Sequence, residues 1–118
     1  MDDQLGGALD IVLTELSEIQ GTYMTRPHIF HSLVCALIHN RFGLTGAEAL
    51  IGVPVIGRYY VSREAAVNSL KRLAAAHEEK DYSEFREYVQ AASEGGNRAL
   101  QRSVRIKWLC RALRGALA

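Results

Sequence analysis

The chain has 118 residues, 48% hydrophobic and 23% charged, with a formal net charge of +1, a length and balance that predict one globular domain over residues 1–118 able to bury its own core. No uninterrupted apolar run reaches about 18 residues, and the start carries Asp2 and Asp3 in place of a basic region. A membrane span and a secretory signal are therefore not expected, and the cytoplasm is the expected compartment.

Residues 3–20 give a first helix, with Leu5, Leu9, Val12, Leu13 and Leu16 close to a helical stripe and Gly6 and Gly7 weakening its first turn. The short GTYMTR connection predicts an antiparallel helical hairpin. The second helix, 27–42, is the longest strongly apolar element and the expected centre of the core. Thr25 is placed to cap it, Pro27 falls in its first turn and Gly43 ends it. Ile29, Phe30, Leu33, Val34, Leu37 and Ile38 form its broad apolar face, opposite a narrow strip of His28, Ser32, Cys35 and His39. Next comes a loop with Gly43, Gly46, Gly52, Pro54 and Gly57, supporting at most a helical turn or two at Ala47 to Ile51.

Ser62 caps a third helix, Arg63 to about Glu79, with Ala66, Val67, Leu70, Leu73 and Ala74 as its buried stripe. Asp81 and Glu84 have capping-box spacing ahead of a fourth helix that buries Phe85, Tyr88, Val89 and Ala92 and stops near Gly95 and Gly96. Asn97 caps the last helix, which runs towards Gly115. The architecture expected is all-α: a compact bundle of about five helices with a Gly/Pro-containing loop between the second and third.

The charge is divided unevenly along this chain. Arg98, Arg102, Arg105, Lys107, Arg111 and Arg114 stand among residues 97–118 without a single acid, whereas residues 1–96 hold eight basic and thirteen acidic residues. Such asymmetry points to an anionic partner, and these six residues are the candidate nucleic-acid contacts. On a helical wheel the basic residues line two edges, Arg98, Arg102 and Arg105 on one and Lys107, Arg111 and Arg114 on the other. The apolar strips between them are Ile106, Leu109, Cys110, Leu113 and Leu117 on one side and Leu100, Val104 and Trp108 on the other. In one reading the arginines reach successive phosphates, Arg98, Arg102 and Arg105 being the more exposed set. In the other they neutralise the acidic cluster of Glu78, Glu79, Asp81, Glu84 and Glu87, while the last three basic residues also favour the helix C-terminus.

Chemistry-bearing constellations are sparse. His31, Cys35 and His39 recur every four residues, but the outer two are about 12 Å apart along the axis, too far to share one metal ion. No metal, cofactor or catalytic residue is expected, and Cys35 and Cys110 read as small hydrophobes in a reducing compartment. Residues 52–57, GVPVIG, lack the Lys-Ser/Thr of a phosphate-binding loop. Arg26 and His31 match the Arg-x4-His spacing of the HEPN ribonucleases, in which the His acts as base on a ribose hydroxyl and the Arg supports the phosphate; Pro27 stands where that family usually has a polar residue.

The stretches RPHIFHSLVCALIHNRFGL and RALQRSVRIKWLCRAL resemble the C-terminal helical region of GmrSD-type ParB/sulfiredoxin-like proteins, which act in restriction and phage defence. Those proteins keep their nuclease chemistry in a ParB-like domain, and some in an HNH domain, and neither signature occurs in this chain. The resemblance thus implies an accessory helical part without the active site. The expected function is a non-catalytic helical module that contacts nucleic acid, or a nucleic-acid-processing partner, through its basic C-terminal helix. The alternatives are a protein-binding or oligomerising domain using the exposed part of VPVIGRYYV, and a HEPN-like ribonuclease using Arg26 and His31.

Overall fold

In the computed structural model, which describes residues 2–43, 55–93 and 99–117, five α-helices follow in order: α1 (Asp2–Thr14), α2 (Pro27–Arg41), α3 (Arg63–Glu79), α4 (Arg86–Ser93) and α5 (Ala99–Leu113). Two 3₁₀ turns, Ser17–Ile19 and Tyr23–Thr25, join α1 to α2, and no strand occurs among the described residues. The expected all-α bundle is therefore the fold that forms. Its radius of gyration of 12.7 Å matches a compact domain of this length. Among the described residues no helix is long and apolar enough to cross a membrane.

Local chemistry sets most of the helix ends. Ser62 Oγ accepts the Ala65 N–H at 3.5 Å, capping α3 as its sequence predicts. Helix α2 begins at Pro27, but Thr25 does not cap it: the N-cap is Arg26, without a side-chain bond, and the Thr25 hydroxyl turns back to the Thr22 carbonyl at 2.9 Å. The first helix also stops earlier than its periodicity suggests. Beyond Thr14 the Leu16 N–H bonds the Ile11 carbonyl, a wider turn five residues long, and the 3₁₀ turn at Ser17–Ile19 then tightens the chain so that both Leu16 and Ile19 reach the core. Leu13, placed in the stripe by the sequence, is left 63% exposed.

Asp81 does not form a capping box with Glu84. Its carboxylate accepts the Ser83 N–H at 3.0 Å and the Ser83 hydroxyl at 2.5 Å, which holds a turn and delays α4 until Arg86. The expected helical turn at Ala47 to Ile51, the stop at Gly95 and Gly96 and the Asn97 cap lie outside the described residues. Gly115, with φ +77°, follows α5 where a Cβ would sit 2.7 Å from that of Ala65, so both its handedness and its lack of a side chain are required.

Helix α2 is enclosed on nearly every side, packing against α1, the Tyr23–Thr25 turn and, most extensively, α5. Ile29, Leu33, Val34 and Leu37 are buried as expected and Phe30 and Ile38 half-buried; of the opposite strip, Ser32 and His39 are buried and His28 and Cys35 half-buried, so that strip does not face solvent. The last helix shows one broad buried face, Arg105, Ile106, Leu109, Cys110, Ala112 and Leu113, instead of two strips. Leu100, assigned to a second buried strip, is 74% exposed.

Candidate nucleic-acid interface

The basic residues of α5 divide by what they touch. Arg98 lies outside the described residues. Arg102 is exposed. Arg105 is not: it is 1% exposed, and its Nε–H donates to Ser32 Oγ and its Nη1–H to the Ala91 carbonyl, each at 3.0 Å. The Ser32 hydroxyl in turn donates to the His28 carbonyl at 3.1 Å, so Arg105 ties α2, α4 and α5 together from inside. Burial lowers its pKa, opposed by the Tyr88 phenol and reinforced by Arg102. An arginine still keeps its charge under such pressure. The expectation that Arg105 contacts phosphate from an exposed edge is corrected here, because neighbouring helices cover that edge.

Lys107 pairs with Glu87 at 2.5 Å, and the same carboxylate accepts the Trp108 indole N–H at 2.8 Å. The hydrogen bonds from Lys107 and Trp108, aided by the charges of Lys107 and Arg111, hold Glu87 below its ordinary pKa. Arg111 is exposed, its guanidinium 5.5 Å from the centre of the Trp108 ring. Among the described residues no ion pair joins the rest of the acidic cluster to α5; Glu84, for example, binds Arg72 of α3 through two bonds at 2.8 and 2.7 Å.

Arg114 leads to a second group of cations that composition did not reveal. Its Nε and Nη2 donate to Asn40 Oδ1 at 3.4 and 3.2 Å. Asn40, buried in the last turn of α2, also donates to the Tyr59 and Cys110 carbonyls, and its own carbonyl accepts the N–H groups of Ile56 and Gly57 at 3.0 and 2.9 Å. This residue therefore holds the 55–60 segment against the ends of α2 and α5. Arg41 and Arg58 are exposed at this junction, and among the described residues neither forms an ion pair. The Arg41 guanidinium lies 4.9 Å from the Tyr59 ring centre and 5.2 Å from that of Phe42, within cation–π range. Phe42 and Tyr59 meet edge to face, with centroids 6.2 Å apart.

Beside this layer is an open groove of about 410 Å³, lined by Ile11, Glu15, Arg41, Arg58, Tyr59 and Tyr60. The Tyr60 hydroxyl donates to Glu15. Close approach at Gly7, where a Cβ would meet the Tyr59 hydroxyl at 2.5 Å, lets that ring settle against α1. The only sequence signal for this group was the pair of arginine–aromatic runs, Arg41-Phe42 and Arg58-Tyr59-Tyr60.

The Arg26 and His31 pair occupies the start of α2. Arg26 lies 3.8 Å over the Tyr23 ring, and His31 points outward, exposed. Behind Tyr23, His77 is buried with its ring edge-on to that residue at 4.9 Å, and its Nδ1 has no hydrogen-bond partner among the described residues. Burial first, then the charges of His28 and Arg26, lower the His77 pKa from 6.5 to about 4. His28 donates through Nε2 to the Ala92 carbonyl at 2.8 Å. Of the every-fourth-residue series, His39 is buried, Cys35 half-buried and His31 exposed, and no group of three potential metal ligands gathers among the described residues.

These features define a five-helix all-α module with an internal arginine and a surface layer of arginine on aromatic rings. No family model, curated protein or solved structure matches the chain.

Proposed function

We propose that this chain is a non-catalytic helical module that contacts nucleic acid at the junction where α2 and α5 end. The observation that carries the reading is the pair Arg41 and Arg58, exposed and without ion pairs among the described residues, set beside Arg114 by the Asn40 hydrogen bonds. Cations placed this way displace the counterions condensed on a polyphosphate, which gives salt-sensitive binding. From α5 itself, Arg111 and Arg102 are the exposed contributors. The resemblance to the helical region of GmrSD-type proteins supports the same role, an accessory part that holds nucleic acid or its processing partner.

The test is a titration with labelled DNA and RNA at low and high salt. Binding should weaken as salt rises, and Arg41→Gln with Arg58→Gln should weaken it further and flatten the slope by roughly 0.9 per lost duplex contact. Arg72→Gln, removing a cation already held by Glu84, serves as the neutral control. Absence of salt-dependent binding would overturn the reading.

A second reading, docking of a protein partner, draws on Leu100, whose exposed side chain stands on the outer side of α5 near half-buried Val104. In that case Leu100→Asp should abolish partner capture without lowering the melting temperature.

A further inference from the structure

The groove beside the Arg41 layer carries a more specific conclusion, one that rests on the nucleic-acid reading and names the form of nucleic acid. We infer that it is a stacking site for an unpaired base, so that the module binds single strands in preference to duplex. A phosphate rail for duplex would need a basic helix standing proud of the surface. Helix α5 offers little of one: Arg105 is in the core, Lys107 is tied to Glu87 and Arg114 is held by Asn40, which leaves Arg102 and Arg111, nine residues apart, as its exposed arginines among the described residues.

What the surface offers instead is concave and planar. Phe42 is 44% exposed and Arg41 lies across it and Tyr59; Arg41, Tyr59 and Tyr60 in turn line the adjoining groove of about 410 Å³, a volume within the range of small-ligand sites. Aromatic rings and guanidinium planes are the surfaces on which splayed-out bases stack, whatever the base, because each has a π-face. A paired base, stacked on both sides within a duplex, cannot enter. Glu15, which also lines the groove, already accepts the Tyr60 hydroxyl and would repel phosphate. In this arrangement the base stacks on Arg41 and the Tyr59 and Phe42 rings beneath it, with the backbone phosphate towards Arg58.

Phe42 and Arg58 are exposed, so changing them leaves the core intact. The intact chain is titrated, by fluorescence anisotropy at low and high salt, with a short labelled single strand and with the duplex of the same sequence. Single strand should bind more tightly than duplex. Phe42→Leu should weaken single-strand binding roughly tenfold without changing its salt slope, and Phe42→Trp should restore it. Arg58→Gln should lower the slope by roughly 0.7, the single-strand value for one contact. Salt-dependent binding that prefers duplex, or that is indifferent to Phe42→Leu and sensitive to Arg102→Gln with Arg111→Gln, overturns the stacking site and leaves the broader function standing. No binding to either form overturns both.

Discussion

Replacing Arg105 by alanine is the sharpest test of how this bundle is built. The side chain is 1% exposed, donates at 3.0 Å to Ser32 Oγ and to the Ala91 carbonyl, and lines the contact between α2, α4 and α5. Hydrogen bonds from a charged donor contribute about 1.5–3 kcal/mol each. Part of that is offset because the unfolded guanidinium is better hydrated. The alanine variant also leaves the Ala91 carbonyl without this donor and a void where the aliphatic stem lay. The expected net loss is about 3–5 kcal/mol, a large share of the total for a domain with a stability of about 5–15 kcal/mol. Urea unfolding followed by far-UV circular dichroism reads it directly: with a slope of about 1–3 kcal/mol per molar, the midpoint should fall by more than about 1 M. Arg105→Met, which keeps the volume and loses the donors, should cost less than the alanine change. Arg102→Ala, on the surface, should stay within about 0.5 kcal/mol. A loss below about 1 kcal/mol for Arg105→Ala would mean that the guanidinium is not an interior tie.

Leu37, 0% exposed at the centre of α2, should cost about 2–5 kcal/mol when changed to alanine, measured by the same unfolding curve. His77 gives the pH dependence. Its folded pKa of about 4 lies below the ordinary 6.5, so its contribution is fully present above pH 6.5 and is lost as the unfolded chain takes up the proton, by about 3 kcal/mol on reaching pH 4. His77→Phe, which keeps an aromatic ring against Tyr23, should remove that part of the pH profile. Asn40→Ala should cost about 2–4 kcal/mol in thermal or urea unfolding, because the Tyr59 and Cys110 carbonyls and the Arg114 guanidinium all lose a partner.

The sequence by itself determined the elements whose causes are local. The all-α class, the buried stripe of α3, its Ser62 cap, the Pro27 start of α2 and the Gly43 stop all follow from short-range periodicity and capping chemistry. Failures began where a side chain had more than one possible partner. Thr25 had a nearby carbonyl to bond instead of a helix end, and Asp81 had Ser83. Only the tertiary structure decided which faces of the last helix were covered. An arginine on a wheel reads as surface, because burying a charge is costly unless donors and acceptors from other helices meet it; Ser32 and Ala91, 73 and 14 residues away, are what make Arg105 a core residue. For the same reason the Arg41 layer was illegible: two ordinary arginine–aromatic runs, 17 residues apart in the chain, become one surface only when Asn40 brings their backbones together.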